Sequence, residues 1–508
     1  MIEACVRNLI VGLGNLLPAR VRTYGERVRR SPLAGRLARG AFWSLVGALA
    51  ARGLGLAASV LVARMLGKTG FGELAIIQNT IGMFGTVGGF GLGTTATKFI
   101  AEYRGTDLER AGRVRALSSV TAWVTSGAAT AGLFFSAPWL AAHALAAPHL
   151  TGLLRLSAAG LLLSGVNGAQ IGALSGFECF KVIARINLIA GLVNVPMNLA
   201  GVYWDGLRGA VWAALLNLGL TWFLSHLAVR KECSRAGISF AYRGCWHENE
   251  ILWRFSLPAV LAGVMVSPVI WLGCAVLVNQ PGGYAEMGLY NAILRIKQVP
   301  EMILAYLMAP LLPVLSEQLG RNAGGEYART LRYAFTISIL VMVPISALQI
   351  AVPGLTLLPY GSQFRGHTGA VRWLMVHGLI IGLFSPVGVI LSSMNKMWLG
   401  LLSNLLWAGA YLSLCFWFVP HAAAKGLAVA LSGSHFAMAA MLLLYLLLAC
   451  PAALRDVHLL RLSLLTALLW GGCVLLARCC NPITAGLGAL SASAVYLAAV
   501  IGLGSKNK

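Results

Sequence analysis

A chain of 508 residues would ordinarily divide into about three soluble domains, but 58% of its residues are hydrophobic and only 11% are charged. The net charge of +23, from 39 Lys and Arg against 16 Asp and Glu, would point to nucleic acid in a soluble protein. In a membrane protein the same excess collects in cytoplasmic loops. The composition excludes a soluble enzyme, a disordered chain and a disulfide-stapled secreted domain, and no nucleic-acid partner is expected.

Residues 1–40 form a basic leader with eight arginines. Its one apolar stretch, Leu9 to Leu17, is interrupted by Gly12, Gly14 and Asn15 and followed by Pro18. That order of charge and apolar run is not a secretory signal. It reads as a retained cytoplasmic anchor on anionic lipid headgroups, with a partner-binding segment as the alternative.

Apolar runs between polar breaks then predict fourteen transmembrane helices, at 41–66, 71–97, 115–139, 149–174, 182–203, 207–230, 254–278, 287–314, 330–352, 369–393, 397–419, 425–449, 459–477 and 483–504. Each is long enough to cross about 30 Å of hydrocarbon. With the N-terminus cytoplasmic, 28 of the 39 basic residues fall on the cytoplasmic side, seven on the opposite side and four inside spans. This asymmetry supports both the number of spans and their orientation, with both termini cytoplasmic. Every connector is short, so no catalytic domain is expected outside the bilayer. Ten cysteines without a CxxC pair read as free or buried thiols.

The chain also repeats itself. Leu174, Ser175, Asn187 and Gly209 recur as Leu391, Ser392, Asn404 and Gly426, each at an offset of 217, and the span entered at Ser44 recurs at Ser256, an offset of 212. The expected fold class is therefore an all-α integral membrane protein of two six-helix lobes related by a parallel repeat, plus two C-terminal helices. The lobes occupy 41–230 and 254–450, joined by a cytoplasmic linker at 231–253, with the extra helices and tail at 451–508.

An ionisable residue inside a span is a functional candidate by default, since a charge at the bilayer centre costs roughly 2.5 to 3.5 kcal/mol or more. Arg52 lies near the middle of the first span, on a stripe with Ser44, Ala48, Gly55 and Ser59. It either pairs with a carbonyl or Glu73, or lines a path for an anion. The eighth span is the most polar. Asn291, Arg295, Gln298 and Met302 share one face, Lys297 and Glu301 form an i, i+4 pair on another, and Pro300 predicts a kink. Arg295 either snorkels to the outer surface or lines a cavity; its counterpart at offset 217 is Gln78. The glycine run from Gly82 to Gly93 permits close helix contact and bending. Arg155, near a span end, reads as a snorkelling residue. The nine histidines show no HExxH pattern or close pair of ligands, so neither a metal nor another cofactor is expected.

The stretches ARMLGKTGFGELAIIQ and GGFGLGTTATKFIAEYR, the FSLPAVLAG opening of the seventh span, MGLYNAILRI and LAYLMAPLLPVLSEQ in the eighth, and the glycine turns at Gly206 and Gly426 resemble the polysaccharide flippases of the multidrug/oligosaccharidyl-lipid/polysaccharide exporter superfamily. The resemblance spans about residues 40 to 450. It implies a two-lobed bundle, not an enzyme, that moves an undecaprenyl-pyrophosphate-linked oligosaccharide outward by alternating access for cell-surface polysaccharide such as lipopolysaccharide or exopolysaccharide. The implied cavity is walled by the first, second, seventh and eighth helices, with Arg52 and Arg295 meeting the pyrophosphate. Asn291, Lys297, Gln298, Gln78 and Ser59 complete the candidate cavity, and Glu301 is a candidate coupling or ion-pair residue. The lipid-linked oligosaccharide and membrane lipids are the expected partners, with other polysaccharide-assembly proteins as candidates. A cation-coupled multidrug exporter would call for buried carboxylates, and of these only Glu301 is deep in a span. A membrane glycosyltransferase or polymerase would call for paired carboxylates or a long outer loop.

Overall fold

In hydrocarbon every backbone N–H and C=O needs a partner within the protein, which favours helices that satisfy themselves. The computed structural model describes residues 32–238, 242, 244–256, 264–308, 311–320, 324–394, 396–449, 468–476 and 479–505, and no strand occurs among them. Most of the basic leader and the segment 450–467 lie outside the described residues. The long helices are α1 (Pro32–Gly88), α2 (Leu92–Tyr103), α3 (Leu108–Trp139), α4 (Thr151–Gly176), α5 (Phe180–Arg235), α6 (Val266–Val278), α7 (Gly283–Met308), α8 (Gly324–Ala351), α9 (Thr368–Ser393), α10 (Met397–Ala449) and α11 (Pro482–Ser505).

Three of these are too long for one crossing. A straight helix of 57 residues like α1 would reach about 85 Å, against about 30 Å of hydrocarbon. Each is folded back at one point: α1 at Gly67 (φ 70°), α5 at Asp205 and Gly206 (φ 51°) and α10 at Ala423 (φ 44°). The returning arms touch. A Cβ on Gly201 would stand 2.4 Å from the Gly209 carbonyl oxygen, and one on Gly426 would stand 2.2 Å from that of Phe418. With these turns each of the fourteen predicted spans has a helical counterpart, the thirteenth through residues 468–476. The described residues are thus all-helical, with fourteen helical segments, and six of the helices are long and apolar enough to cross a membrane.

One local expectation changes. The second span is not one helix: α1 ends at Gly88, Phe90 (φ 43°) and Gly91 (φ 61°) turn the chain, and α2 resumes at Leu92. The glycines there serve close packing, since Thr125 and Ser126 of α3 both donate to the Gly88 carbonyl and a Cβ on Gly172 would meet the Gly93 backbone. The eighth span is helical from Gly283 to Met308, with Pro300 inside it.

Contacts sort the helices into two groups. Helices α1 to α5 pack on one another, α6 to α10 do likewise, and α1 joins the groups through α6 and α7. The outer surface is apolar, with aromatic residues at helix ends: Tyr203, Trp204 and Trp417 at one end, Trp253 and Trp398 at the other. Rings in that position suit the headgroup layer. Arg155 is exposed and rests over the Phe134 ring at 5.1 Å.

The two ends of the bundle differ. At the arginine-rich end the ion pairs lie within the first half of the chain, where Arg104 meets Glu178 and Arg110 and Arg113 both meet the buried Glu248 of the linker. At the opposite end the polar contacts cross between the groups. Arg64 Nε donates to the Pro359 carbonyl (2.6 Å), Lys68 Nζ meets His367 Nε2 (3.2 Å), and Tyr284 donates to the Leu145 carbonyl (2.8 Å). Phe71 packs with Tyr360 and Phe364. That end is sealed.

Candidate functional site

The seal sets the site. At Gly72 and Gly288 the backbones of α1 and α7 touch, since a Cβ on Gly72 would stand 1.8 Å from the Tyr284 carbonyl oxygen and one on Gly288 would stand 2.1 Å from that of Lys68. Without a hydrophobic force between helices in lipid, small residues are what allow such an approach. From that crossing both helices descend side by side. At about 1.5 Å per residue, Gln78 and Arg295 each lie roughly 17 Å from the sealed end, near the middle of the membrane.

There the two meet: Arg295 Nη2 donates to Gln78 Oε1 at 2.5 Å. Nearby, Arg52 Nη2 donates to Gln298 Oε1 at 2.6 Å. The guanidiniums are electrostatic neighbours, with the Tyr360 hydroxyl facing Arg295 and Ser59. Among the described residues neither arginine has a carboxylate partner. Glu73, a candidate partner for Arg52, is instead taken by His149 at 2.8 Å. Arg295 does not snorkel: it is partly buried and held across the seam by Gln78. Two cations whose protein partners are neutral amides form a site with charge to spare for an anion.

Beside this pair lies a cavity of about 530 Å³. Its walls come from α1, α6, α7, α9 and α10. The expected first-span wall is absent; the tenth, eleventh and twelfth spans take its place. Of the predicted residues, Lys297, Gln298 and Glu301 line it, while Asn291 is 9% exposed and not among the lining residues. The difference follows from position along α7: Asn291 is about one turn from the crossing at Gly288, whereas Gln298 lies deeper on the same side. Lys297 Nζ and Glu301 Oε1 form the expected ion pair, at 2.6 Å.

Sequence reasoning missed the far wall. Trp407 Nε1 donates to His435 Nδ1 at 2.8 Å, and His377 Nε2 lies 3.3 Å from the same nitrogen. The same His435 Nδ1 lies 3.0 Å from the Leu431 carbonyl oxygen, so an indole donor, a carbonyl acceptor and a second imidazole converge on one ring nitrogen. On the other side of its ring, His377 Nδ1 is buried with no hydrogen-bond partner. Asn79 and Asn404 line the same space. The available signal was the two histidines inside apolar runs, LMVHGLII and SGSHFAM, which membrane energetics alone mark as candidates. Among the described residues no group of three or more His, Cys, Asp or Glu could hold a metal ion.

The fold is shared with solved transporters. The lipid II flippase MurJ in its inward closed conformation matches with a TM-score of 0.68 at 13% identity, over 91% of this chain and 99% of that one. A multidrug resistance MATE family transporter of the MOP superfamily matches in its inward-facing conformation with a TM-score of 0.67 at 15% identity, over 81% and 99%. An outward-facing conformation matches at 0.57 and 15% identity, over 84% and 98%. No curated protein sequence matches the chain significantly. The family described as polysaccharide biosynthesis protein matches residues 37–319, more than half of the chain. With its all-helical architecture and paired cations on the seam between two helix groups, the chain belongs to the polysaccharide biosynthesis protein family.

Proposed function

We propose that this protein is a flippase that moves an undecaprenyl-pyrophosphate-linked oligosaccharide from the cytoplasmic to the outer leaflet by alternating access between the lobes at 41–230 and 254–450. The observation that carries the reading is the pair Arg52 and Arg295, each met by an amide oxygen rather than a carboxylate. A diphosphate must leave water to cross the hydrocarbon, and two guanidiniums replace its hydration while the polyprenyl tail stays in lipid. Gln78, Gln298 and Ser59 complete the contact set. Lys297 and Glu301 are the candidate coupling pair, since breaking a buried ion pair on one side of a cycle is a means of biasing that cycle.

In this reading the arginine-rich end is cytoplasmic, in a bacterial inner membrane with both termini inside. The sealed outer end then makes this the state that receives substrate from the cytoplasmic leaflet. A cation-coupled drug exporter fits less well, because the one carboxylate lining the cavity, Glu301, is neutralised by Lys297.

The test is to replace Arg52 in cells that depend on the chain. Arg52→Ala should leave a lipid-linked intermediate on the cytoplasmic leaflet, and Arg52→Lys should restore part of the transport, because a diphosphate accepts either cation but favours the guanidinium fork. Full transport by a well-expressed Arg52→Ala protein would overturn the reading.

A further inference from the structure

The sealed end carries one histidine contact in each lobe, and the two are built alike. His149 stands two residues before α4 and His367 immediately before α9, and those helices begin at Thr151 and Thr368, again 217 positions apart. Each histidine faces a carboxylate of its own lobe: His149 Nε2 lies 2.8 Å from Glu73 Oε1, and His367 Nδ1 lies 4.0 Å from Glu286 Oε1. The copies differ at the second ring nitrogen of His367, which lies 3.2 Å from Lys68 Nζ of the other lobe.

A lysine ammonium has donors and no acceptor. His367 Nε2 must therefore be bare to take the Lys68 contact, and the network assigns the ring proton to Nδ1, on the Glu286 side. A second proton would occupy Nε2, remove that hydrogen bond and set two cations against each other. The other charges around the ring come from three elements. Lys425 of α10 runs beside Gly369, its Cδ 3.0 Å from where a Cβ would stand there, and Arg365 is exposed on the same connector as His367. Arg64 of α1 is engaged by the Pro359 carbonyl. Glu286 of α7 also accepts from the Ala424 N–H through its other oxygen. An imidazolium at 367 is thus repelled by Lys68 and drawn to Glu286, which belongs to its own lobe.

We propose that His367 is a pH-sensitive latch on the sealed end. Neutral, it ties the second lobe to Lys68 of the first; protonated, it exchanges that partner for Glu286 and releases the seam. The contact is present above the titration of the imidazole and lost as pH falls through it, a change that histidines make between about pH 5 and 8. Protonation of His149 strengthens only a contact within the first lobe. The latch rests on the alternating movement of the lobes in the flippase reading, and not on the identity of the substrate.

Spin labels at Ala142→Cys and Leu355→Cys, both exposed at the sealed end of their lobes, report the width of the seam by pulsed electron resonance. The full-length protein, in a background without native cysteines, is measured in lipid nanodiscs. From pH 8 to pH 5 the share of molecules with a widened distance should rise about two- to fivefold, the worth of one partly exposed charged contact. His367→Gln keeps an acceptor for Lys68 without titrating and should hold the seam at its pH 8 width throughout. Lys68→Ala should give the acid distribution already at pH 8, and His149→Gln should leave the response in place. A distance in the unaltered protein that ignores pH, or a response that survives His367→Gln, would overturn the latch. No substrate is added, so a flat response leaves the flippase reading standing, and failure of Arg52→Ala to impair transport leaves the latch standing.

Discussion

Arg295 hydrogen-bonds to Gln78 across the seam, and the two are each other's counterparts in the repeat, 217 positions apart. Where two copies are related by a two-fold axis, a residue meets its own counterpart only at the axis. The pair therefore marks the centre of the seam, and one copy carries the cation while the other carries its neutral cradle.

This asymmetry predicts a graded series. Arg295→Ala should lower transport by about tenfold or more, as loss of a charge-assisted contact to substrate does. Gln78→Ala should cost less, because it removes only the cradle. Gln78→Glu should cost more than Gln78→Ala, since a carboxylate would claim the guanidinium and compete with an anion. Accumulation of the lipid-linked intermediate, normalised to membrane expression, ranks the three; a Glu variant as active as the Ala variant would contradict an anion site.

The seal makes a second prediction. Gly72→Ala must push α1 away from the Tyr284 carbonyl, and overpacking of this kind costs typically 1–3 kcal/mol. The thermal midpoint of the purified protein should fall, and a cysteine introduced at Tyr360, buried under the seal, should become reactive. Gly82→Ala, with open space at its Cβ, is the matched control and should change neither.

Accessibility along α7 follows from its lining residues. In a background without native cysteines, Gln298→Cys should react with a water-soluble thiol reagent, while Asn291→Cys and Ile293→Cys should be protected, because those positions are buried. Asn291→Cys or Ile293→Cys as reactive as Gln298→Cys would mean that α7 is packed differently.

The native thiols supply a pH prediction and a topology check. Burial, reinforced by Glu232, pushes the Cys179 thiol in the connector before α5 up to about 11. The reactive thiolate is therefore scarce at neutral pH, and maleimide labelling of Cys179 should rise about tenfold per pH unit between pH 7 and 10. Glu232→Gln should speed it. Cys479 and Cys480 are exposed beside the start of α11 and should label at neutral pH with an impermeant reagent added outside intact cells. Labelling there only after permeabilisation would reverse the orientation.

Much of the fold was legible in the sequence because its causes are local. Hydropathy counts spans within one run, charge bias orients each connector, and a glycine turn such as Gly206 marks a reversal. Arg52 and Arg295 stood out because a cation in an apolar run is costly wherever the run is packed, and the Lys297–Glu301 pair followed from helical spacing alone. What the tertiary structure decided is which faces meet. Helical periodicity puts Asn291, Arg295 and Gln298 on one side of α7 but does not say what that side meets along its length; the backbone contact at Gly72 and Gly288 closes it over Asn291, while Gln298, further from the crossing, reaches the cavity. Arg52 bonds to Gln298, 246 positions away, and His377, Trp407 and His435 converge from separate spans. Such partners are chosen by close packing of small residues between helices, an energy that depends on pairs of surfaces and leaves no periodic trace in either strand of text.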